Sequence, residues 1–299
     1  MCRQKPSVPF RFNQIQVQPE ENMHPIFIVL IVLASIYLLS VAVWLYMIWP
    51  GKNRPEMEKY KHVKYAHRGL HDDKRAENSM SAFAAAKEKG FGIELDVRLS
   101  KDGELVVFHD ETLTRVAGKE GKVIDFTAEE LAGMSLSGTA DSIPTLKEVL
   151  ELIDGTVPLL IEIKMSPSES GVAEKFLEVI EGYKGDFIVE SFNPFALKTV
   201  KQARPDILRG FLSAEYTKDE RYKGKLLYRL LQNMNLNFLM RPDFISYDKK
   251  GYSVKNLRFI RRVFGTALIT WTIKSQEEEN AAISHGFDTV IFENYIPEK

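Results

Sequence analysis

FGIELDVRLSKDGELVVFHD, residues 91–110, carries the most informative pattern in the chain. Its first apolar run contains Glu94 and Asp96, which lie two residues apart and therefore point to the same face of a strand. A short turn leads into a second apolar run that ends in His109. Because two carboxylates among apolar neighbours are costly unless a positive group lies between them, the stretch predicts a metal site with an acid/base residue beside it.

The rest of the sequence alternates apolar runs with helical patterns, as expected of an α/β fold built on a parallel sheet. The candidate strands are residues 63–66, 92–96, 105–108, 159–163, 187–190, 207–211, 244–247, 268–272 and 289–292. The candidate helices are residues 79–89, 145–153, 172–181, 194–203, 226–233, 254–263 and 276–285. The third strand must fold back on the second as a β-hairpin, because the link between them is too short for a parallel crossover.

Eight strands remain once the hairpin strand is set aside, the number that closes a (β/α)8 TIM barrel. Residues 111–142 contain no strand–helix unit of their own and are predicted to be a small insertion after the hairpin. A doubly wound open sheet is the alternative, but no G-x-G-x-x-G motif follows the first strand. We therefore predict a TIM barrel over residues 62–299, preceded by one N-terminal transmembrane helix.

Residues 26–49 form an uncharged run of 24 residues, IFIVLIVLASIYLLSVAVWLYMIW. At about 1.5 Å per residue, a helix of this length exceeds the ~30 Å hydrocarbon core of a bilayer. A cleaved signal peptide and a buried core helix are the alternatives, but the run ends in Trp49-Pro50 rather than in a small-residue cleavage site. The run predicts a membrane anchor, between a disordered tail at residues 1–25 and a charged linker at residues 50–61.

Charge and cysteine usage limit the location and the partners. One Lys or Arg lies in the 15 residues before the apolar run and five lie in the 15 after it, which slightly favours a cytoplasmic catalytic domain at the cell membrane. The net charge of −1 gives no support for nucleic-acid binding. Cys2 is the only cysteine, so the chain has no internal disulfide and no thiolate metal site.

Charged side chains stand at the ends of several predicted strands, where TIM barrels form their active sites. His67 and Arg68 follow the first strand, and Glu162 and Lys164 stand at the end of the strand after the insertion. Taken alone, Glu162 and Lys164 are consistent with a structural ion pair. Together with Glu94 and Asp96 of the second strand, they are better explained as groups that surround a bound cation.

Glu94, Asp96 and Glu162 offer only oxygen ligands, which suit a hard divalent cation, Mg²⁺ or Ca²⁺, better than Zn²⁺. Arg68 and Lys164 add fixed positive charge, so the site fits a substrate of concentrated negative charge such as a phosphate. Two histidines, with an ordinary pKa of about 6.5, can supply the acid and the base of a phosphoryl transfer. The residues by themselves predict metal-assisted cleavage of a phosphate ester.

From about residue 61 onward, the chain resembles the glycerophosphodiester phosphodiesterases. Seven motifs in order carry the resemblance: Ala66-His67-Arg68-Gly69, Glu77-Asn78-Ser79, Glu94-Leu95-Asp96-Val97, Phe108-His109-Asp110 with Leu113-Thr114-Arg115, Ile161-Glu162-Ile163-Lys164, Ser191-Phe192 and Trp271-Thr272. Two motifs depart from the family pattern. Ala76 and Ser79 replace the proline and threonine of P-E-N-T, and Phe292-Glu293-Asn294 stands where the family has T-D-x-P.

The resemblance implies a TIM barrel that hydrolyses glycerophosphodiesters to glycerol 3-phosphate and an alcohol. It implies that His67 and His109 form the acid/base pair, that the three carboxylates hold the metal, and that Arg68 and Lys164 hold the phosphate. In this scheme the substrate's own 2-hydroxyl attacks phosphorus, and water opens the resulting cyclic phosphate. Supporting positions around the substrate would be Glu77, Asn78 and Trp271.

The apolar N-terminal run departs from the soluble members and suggests a small phosphodiester substrate that derives from lipid. Lysophospholipase D-type cleavage at the same site is one alternative, and it would need an apolar groove for an acyl chain, lined by the insertion or by residues 226–240. A catalytically silent, membrane-anchored barrel is another. Silent relatives should lose the histidines or the metal acids, and this chain keeps all five.

Overall fold

The computed structural model describes residues 24–298, so the predicted tail at residues 1–25 lies almost entirely outside the described residues. The chain divides into two compact units after Val43. The described part of the first unit belongs to helix α1, Pro25–Ile48, whose residues up to Val43 are nearly all exposed. By length and composition, α1 is apolar enough to cross a membrane.

The second unit contains a closed sheet, which in the described residues has nine strands. They are β1 Tyr65–Ala66, β2 Gly92–Leu99, β3 Leu105–Val107, β4 Leu159–Ile163, β5 Phe187–Ser191, β6 Arg209–Ser213, β7 Phe244–Asp248, β8 Ala267–Ile273 and β9 Thr289–Phe292. Strand β1 pairs in parallel with both β2 and β9, and this pairing closes the barrel. Strand β3 runs antiparallel to β2, outside the ring of eight. The predicted TIM barrel with its hairpin is confirmed.

Helices connect successive strands. They are α2 Met80–Lys89, α3 Thr114–Ala117, α4 Ala128–Ala132, α5 Leu146–Ile153, α6 Val172–Val179, α7 Pro194–Ala203, α8 Leu226–Gln232, α9 Asn237–Met240, α10 Lys255–Phe264 and α11 Gln276–Ser284. The predicted insertion contains α3 and α4. Helices α2 and α5 each begin one residue later than predicted, because Ser79 and Thr145 are N-caps whose side chains accept from Ala82 N and Glu148 N.

Alternation along the strands separates two layers of side chains. In β4, Leu159, Ile161 and Ile163 pack in the core beneath the helices, whereas Leu160 belongs to a separate cluster inside the barrel. Glu162 has the same parity as Leu160 and therefore points inward, one layer closer to the carboxyl ends of the strands. The barrel interior thus changes from apolar to acidic along a single strand.

A short 3-10 helix, Pro55–Tyr60, packs against the amino ends of the strands. Met57 and Tyr60 from this helix are buried and belong to the apolar cluster inside the barrel. Part of the segment predicted as a charged linker, residues 50–61, is therefore structured. The reason is that its two large apolar side chains, three residues apart, fill the lower end of the barrel.

Candidate active site

Three carboxylates meet at the carboxyl ends of β2 and β4. Asp96 and Glu162 are direct partners in the parallel register of these strands, and Glu94 lies two residues before Asp96 on the same face. One carboxylate oxygen from each residue lies within 4.8 Å of the other two. All three residues are buried, with at most 6% of their surface exposed. The strand register therefore builds the oxygen cluster that the sequence predicts.

These carboxylates differ in how readily they ionise. Burial raises the pKa of Glu94 well above its usual range, and Asp96 and Glu162 raise it further. Burial also raises the pKa of Glu162, to about 7, against the opposing effect of Lys164. For Asp96 the effect of burial is outweighed by Lys164 and His109, which hold its pKa well below the usual range. The cluster resists carrying its full negative charge without a further cation.

Glu190 is a fourth buried carboxylate that the sequence analysis did not include in the site. It lies on β5 opposite Glu162 in the parallel register, and it is 1% exposed. Burial and the neighbouring Glu162 raise its pKa well above the usual range. Its position at the end of an apolar run, before Ser191-Phe192, was the signal that could have identified it. Four inward carboxylates then face two cations, Arg68 and Lys164.

Lys164 and Arg68 lie against the acid cluster. The Lys164 Nζ is 3.0 Å from Asp96 Oδ1 and 2.7 Å from Glu162 Oε1. The Arg68 backbone N–H donates to Glu94 Oε2 at 2.9 Å, and its Nε lies 3.5 Å from Asp96 Oδ2. When the four inward carboxylates and the two cations are all ionised, two negative charges remain uncompensated, which suits an ion of charge +2.

The loop after β1 and the start of α2 hold the polar groups around Asp96. The Asn78 Nδ2 donates to Asp96 Oδ2 at 2.8 Å, while Asn78 Oδ1 is buried and has no partner among the described residues. Arg68 and Asn78 both adopt left-handed backbone conformations, with φ of 55° and 56°. The next residue, Gly69, has to be a glycine because a Cβ there would lie 2.9 Å from Ala82. The motif thus fixes an unusual backbone that turns Arg68 and Asn78 toward the acids.

Each predicted catalytic histidine has a carboxylate on its Nδ1 atom. The His67 Nδ1 is 2.6 Å from Glu293 Oε2, and the His109 Nδ1 is 2.6 Å from Asp110 Oδ1. Burial lowers the pKa of His67 although Glu293 opposes it, and burial lowers the pKa of His109 to about 4. Burial thus favours the neutral form of each ring, while the carboxylate on each Nδ1 favours the protonated form.

Arg115, which the sequence analysis included in a motif without a role, connects two parts of the site. Its Nε donates to Asp110 Oδ2 at 2.6 Å, and its Nη2 donates to Glu77 Oε1 at 2.7 Å. Glu77 in turn accepts from Arg68 Nη1 at 2.8 Å. A chain of ion pairs therefore runs from the His109 carboxylate partner to the arginine beside the acid cluster.

The predicted residues surround one cavity of about 100 Å³. Its walls include His67, Arg68, Glu94, His109, Glu162, Lys164, Glu190, Phe192 and Trp271. The Trp271 ring lies edge-on to Phe192, with centroids 5.6 Å apart, and forms an apolar side of the cavity. Asp96, Glu77 and Asn78 contact this set through the ion pairs and hydrogen bonds given above. Two histidines with carboxylate partners, fixed cations and an oxygen cluster together suit acid/base chemistry on a phosphate ester.

Comparison with known proteins gives a consistent result. The model of the glycerophosphoryl diester phosphodiesterase family matches residues 67–296. The chain is 34% identical over 244 residues to a glycerophosphodiester phosphodiesterase of Caldanaerobacter subterraneus subsp. tengcongensis, covering 77% of this chain and 93% of the relative. It is 39% identical over 155 residues to a glycerophosphodiester phosphodiesterase of Bacillus altitudinis, covering 48% of this chain and 63% of the relative.

Two solved structures extend the likeness to the fold. A glycerophosphodiester phosphodiesterase of Thermotoga maritima has 32% sequence identity and a TM-score of 0.58, and the match covers 77% of this chain and 94% of that one. A phosphodiesterase of Oleispira antarctica, in complex with the product sn-glycerol-3-phosphate, has 25% identity and a TM-score of 0.63. That match covers 77% of this chain and 92% of the other.

Proposed function

The chain belongs to the glycerophosphoryl diester phosphodiesterase family, and from this we propose that it hydrolyses glycerophosphodiesters to sn-glycerol 3-phosphate and an alcohol. The observation that carries the proposal is the convergence of three buried carboxylates and two histidines on one small cavity. The product bound to the Oleispira relative supports a small phosphodiester as substrate.

Glu94, Asp96 and Glu162 would hold one divalent cation, Mg²⁺ or Ca²⁺. The fit rests on the all-oxygen donor set and on the excess of buried carboxylates over cations. The buried, unpaired Asn78 Oδ1 is a further candidate ligand. When bound, the ion would stabilise negative charge that develops on the phosphoryl oxygens.

Arg68 and Lys164 would orient the phosphate. Both line the cavity, and both are held in place by acids, Arg68 by Glu77 and Lys164 by Asp96 and Glu162. A guanidinium that is already fixed loses little conformational entropy when it donates to a phosphate oxygen. The two cations would therefore bind the diester in one orientation between the histidines.

His67 and His109 would transfer the protons. One neutral ring accepts the proton of the substrate's 2-hydroxyl through Nε2 as that oxygen bonds to phosphorus. The other ring, in its protonated form, gives a proton to the departing alcohol oxygen as the P–O bond breaks. Water then opens the cyclic phosphate with the two roles reversed. Glu293 and Asp110, bound to the Nδ1 atoms, would hold each ring in orientation and stabilise its protonated form.

The test is turnover of glycerophosphocholine by the 299-residue chain, with release of glycerol 3-phosphate as the readout. His67→Gln and His109→Gln should each lower kcat by about 10²- to 10⁴-fold, the usual contribution of a positioned acid or base. His285→Gln is the matched control, because His285 is exposed and stacks on Tyr252. Activity that survives both substitutions unchanged would contradict the proposed roles, and lack of activity in the wild-type chain would favour a silent barrel.

Helix α1 would be an uncleaved, single-pass anchor in the cell membrane, with the barrel on the cytoplasmic side. Its length, its composition and its exposed surface support a membrane span, although a signal sequence shares the first two properties. The flanking Lys and Arg residues support the orientation. Protease treatment of intact cells should leave the barrel undigested, whereas digestion, or recovery of a chain that lacks α1, would refute this assignment.

A further inference from the structure

A cavity of about 440 Å³ lies at the amino ends of the strands, at the opposite end of the barrel from the catalytic cavity. Arg209, the first residue of β6, and Asp243, which directly precedes β7, line it. The segment that follows α1 supplies Trp49, Pro50, Gly51, Lys52 and Arg54. All of these residues belong to the second compact unit. The cavity is therefore part of the barrel unit, and its volume is that of a small-molecule site.

Hydrogen bonds hold the segment after α1 against the barrel. The Arg241 Nη1 donates to the Tyr46 carbonyl at 3.2 Å and to the Trp49 carbonyl at 2.8 Å. The Gly51 N–H donates to the Pro242 carbonyl at 2.7 Å. Because these bonds fix the wall of the cavity, a ligand would meet a site that is already formed, and binding would cost little ordering of the chain.

Positive charge exceeds negative charge in the walls of this cavity, which we name the cationic pocket. Its charged lining residues are four cations, Lys52, Arg54, Arg209 and Arg241, and one acid, Asp243. Four cations and one acid leave a net charge of +3 when all are ionised. The excess also acts on Lys201 nearby, because burial, Arg209 and Arg241 together lower the pKa of its ammonium group. The pocket therefore favours an anion as its ligand.

Two of the four cations have donors left for a ligand. The contacts of Arg241 with backbone carbonyls use only its Nη1 atom, and Lys52 is exposed. Arg54 and Arg209, by contrast, are bound to Asp243 and to backbone carbonyls. Arg241 and Lys52 would thus donate to the anion, while the two paired arginines would add their positive field.

The cationic pocket adjoins the end of the proposed membrane anchor. Trp49, the last residue of the apolar run, lines the pocket and is 50% exposed. Tyr46 is 56% exposed, and the Arg241 guanidinium lies 4.8 Å from the centroid of its ring. Exposed Trp and Tyr side chains beside cations are typical of the head-group region of a bilayer, where lipid phosphates are abundant anions.

We propose that the cationic pocket binds the phosphate group of an anionic membrane phospholipid through Arg241 and Lys52. The planar guanidinium matches the oxygen geometry of a phosphate, and the lysine adds a point charge. This inference rests on the proposed membrane anchor but not on the proposed reaction. The lipid is bound there and not cleaved, because the histidines and the acid cluster lie at the other end of the barrel. A free phosphate compound offers the same chemistry, and the experiments below separate the two sources.

Lipid selectivity is the first test. The 299-residue chain in a neutral detergent is titrated with phosphatidic acid and with phosphatidylcholine of the same acyl chains, and bound lipid is measured by native mass spectrometry. We expect phosphatidic acid to bind at least about tenfold more tightly, because phosphatidylcholine carries no net charge for the two cations to attract. Equal affinities for the two lipids would overturn the proposal.

A matched pair of variants is the second test. Lys52→Gln removes a cation from the pocket, and Lys59→Gln removes the same charge from the same segment, outside the pocket. Both lysines are exposed, so both variants should fold. We expect Lys52→Gln to weaken phosphatidic acid binding about fivefold, the usual contribution of one cation near an anionic bilayer, and Lys59→Gln to leave it unchanged. Equal affinities of the two variants would overturn the assignment of the pocket.

Competition with inorganic phosphate separates the two sources of the ligand. A lipid keeps its acyl chains in the detergent beside α1 while its phosphate occupies the pocket, so its local concentration there is high. We therefore expect millimolar inorganic phosphate to leave phosphatidic acid bound. Displacement of the lipid in the wild-type chain would overturn the lipid assignment and would identify a free phosphate compound as the ligand.

Turnover of glycerophosphocholine by the same variants separates this proposal from the proposed function. Because the pocket and the catalytic cavity lie at opposite ends of the barrel, Lys52→Gln should leave kcat unchanged. Turnover without lipid selectivity would overturn the pocket and leave the reaction supported. Lipid selectivity that depends on Lys52, in a wild-type chain without turnover, would support the pocket while the proposed function fails.

Discussion

The two ends of the barrel both bury charged side chains, but they differ in how completely those charges are paired. At the amino end, Arg54 donates to both carboxylate oxygens of Asp243, at 2.8 and 2.7 Å. The Arg209 backbone N–H donates to the same carboxylate at 3.0 Å, and both guanidinium groups also donate to backbone carbonyls. Two cations face one acid, and no buried polar atom of these three side chains lacks a hydrogen-bond partner within residues 24–298.

At the carboxyl end, four acids face two cations, and some polar atoms remain unpaired. Arg68 Nε and Asn78 Oδ1 are buried and have no hydrogen-bond partner within residues 24–298. The pKa of Glu94 and that of Glu190 are raised because burial and like charge oppose ionisation. The fully paired cluster at the amino end is therefore typical of a structural role, whereas the incompletely paired cluster at the carboxyl end is typical of a functional site.

The largest expected difference between the two ends comes from removing one acid at the carboxyl end. Glu94→Gln should lower kcat/KM at least about a thousandfold, because the proposed metal ion would contribute several kcal/mol to transition-state stabilisation. The free energy of unfolding in metal-free buffer should not fall, because the substitution removes one of the buried negative charges that no cation compensates. Steady-state kinetics and urea unfolding test both points. A large loss of stability would mean that this cluster is structural too.

Asp243→Asn tests the amino end of the barrel, where we expect a large effect on stability and none on activity. It leaves Arg54 and Arg209 without their carboxylate, so we expect the free energy of unfolding to fall by about 3 kcal/mol. The kcat of the folded enzyme should not change. The control is Asp206→Asn, which breaks an exposed pair with Arg204 and should cost under about 1 kcal/mol. Equal costs for the two variants would remove the distinction between the ends.

Glu293→Gln should have an intermediate effect. It keeps a group that can bond to the His67 Nδ1 but removes the charge that favours the protonated ring. We expect kcat to fall about 10- to 100-fold, with little change in thermal stability. The pH–rate profile is the informative readout, because its limb from His67 should shift to lower pH. An unchanged profile would mean that Glu293 does not position this histidine for catalysis.

The smallest expected effect is a pH dependence of metal affinity. The folded-state pKa of Glu162 is about 7, above that of an ordinary glutamate. The protonated carboxyl therefore stabilises the metal-free fold, and this contribution is lost as the pH rises through about 7. The metal needs the ionised form. Metal affinity should therefore weaken by up to about tenfold per pH unit below 7. Calorimetric titration at pH 6 and pH 8 checks this, and equal affinities would contradict it.

Several site residues were accessible from the sequence because their signals are local. Glu94 and Asp96 share a strand face through a spacing of two, and His67 and Glu162 stand at the ends of apolar runs. Glu190 has the same signal, but only the strand register puts it opposite Glu162. Glu293 enters the sequence analysis only as a departure from a family motif. Its contact with His67 could not be predicted, because nothing near Glu293 in the sequence indicates a histidine 226 residues away.

A cavity of about 750 Å³ beside the catalytic one illustrates the same limit. Leu231, Leu236 and Leu239, from the region of α8 and α9, line one side of it. Phe195 lines it as well, although this residue lies in a different strand–helix unit. Neighbouring units come together only when the sheet closes.

Hydrophobic period and motif spacing specify the order and kind of the elements and most of the acidic and basic residues of the site, because both patterns depend only on near neighbours in the chain. Only the folded barrel shows which buried charges are balanced, which carboxylate contacts which histidine, and where apolar surface adjoins Lys164. These features depend on the pairing of β9 with β1 and on the parallel register of the inner strands. Such pairing is set by packing across the whole barrel, which no short stretch of the chain encodes.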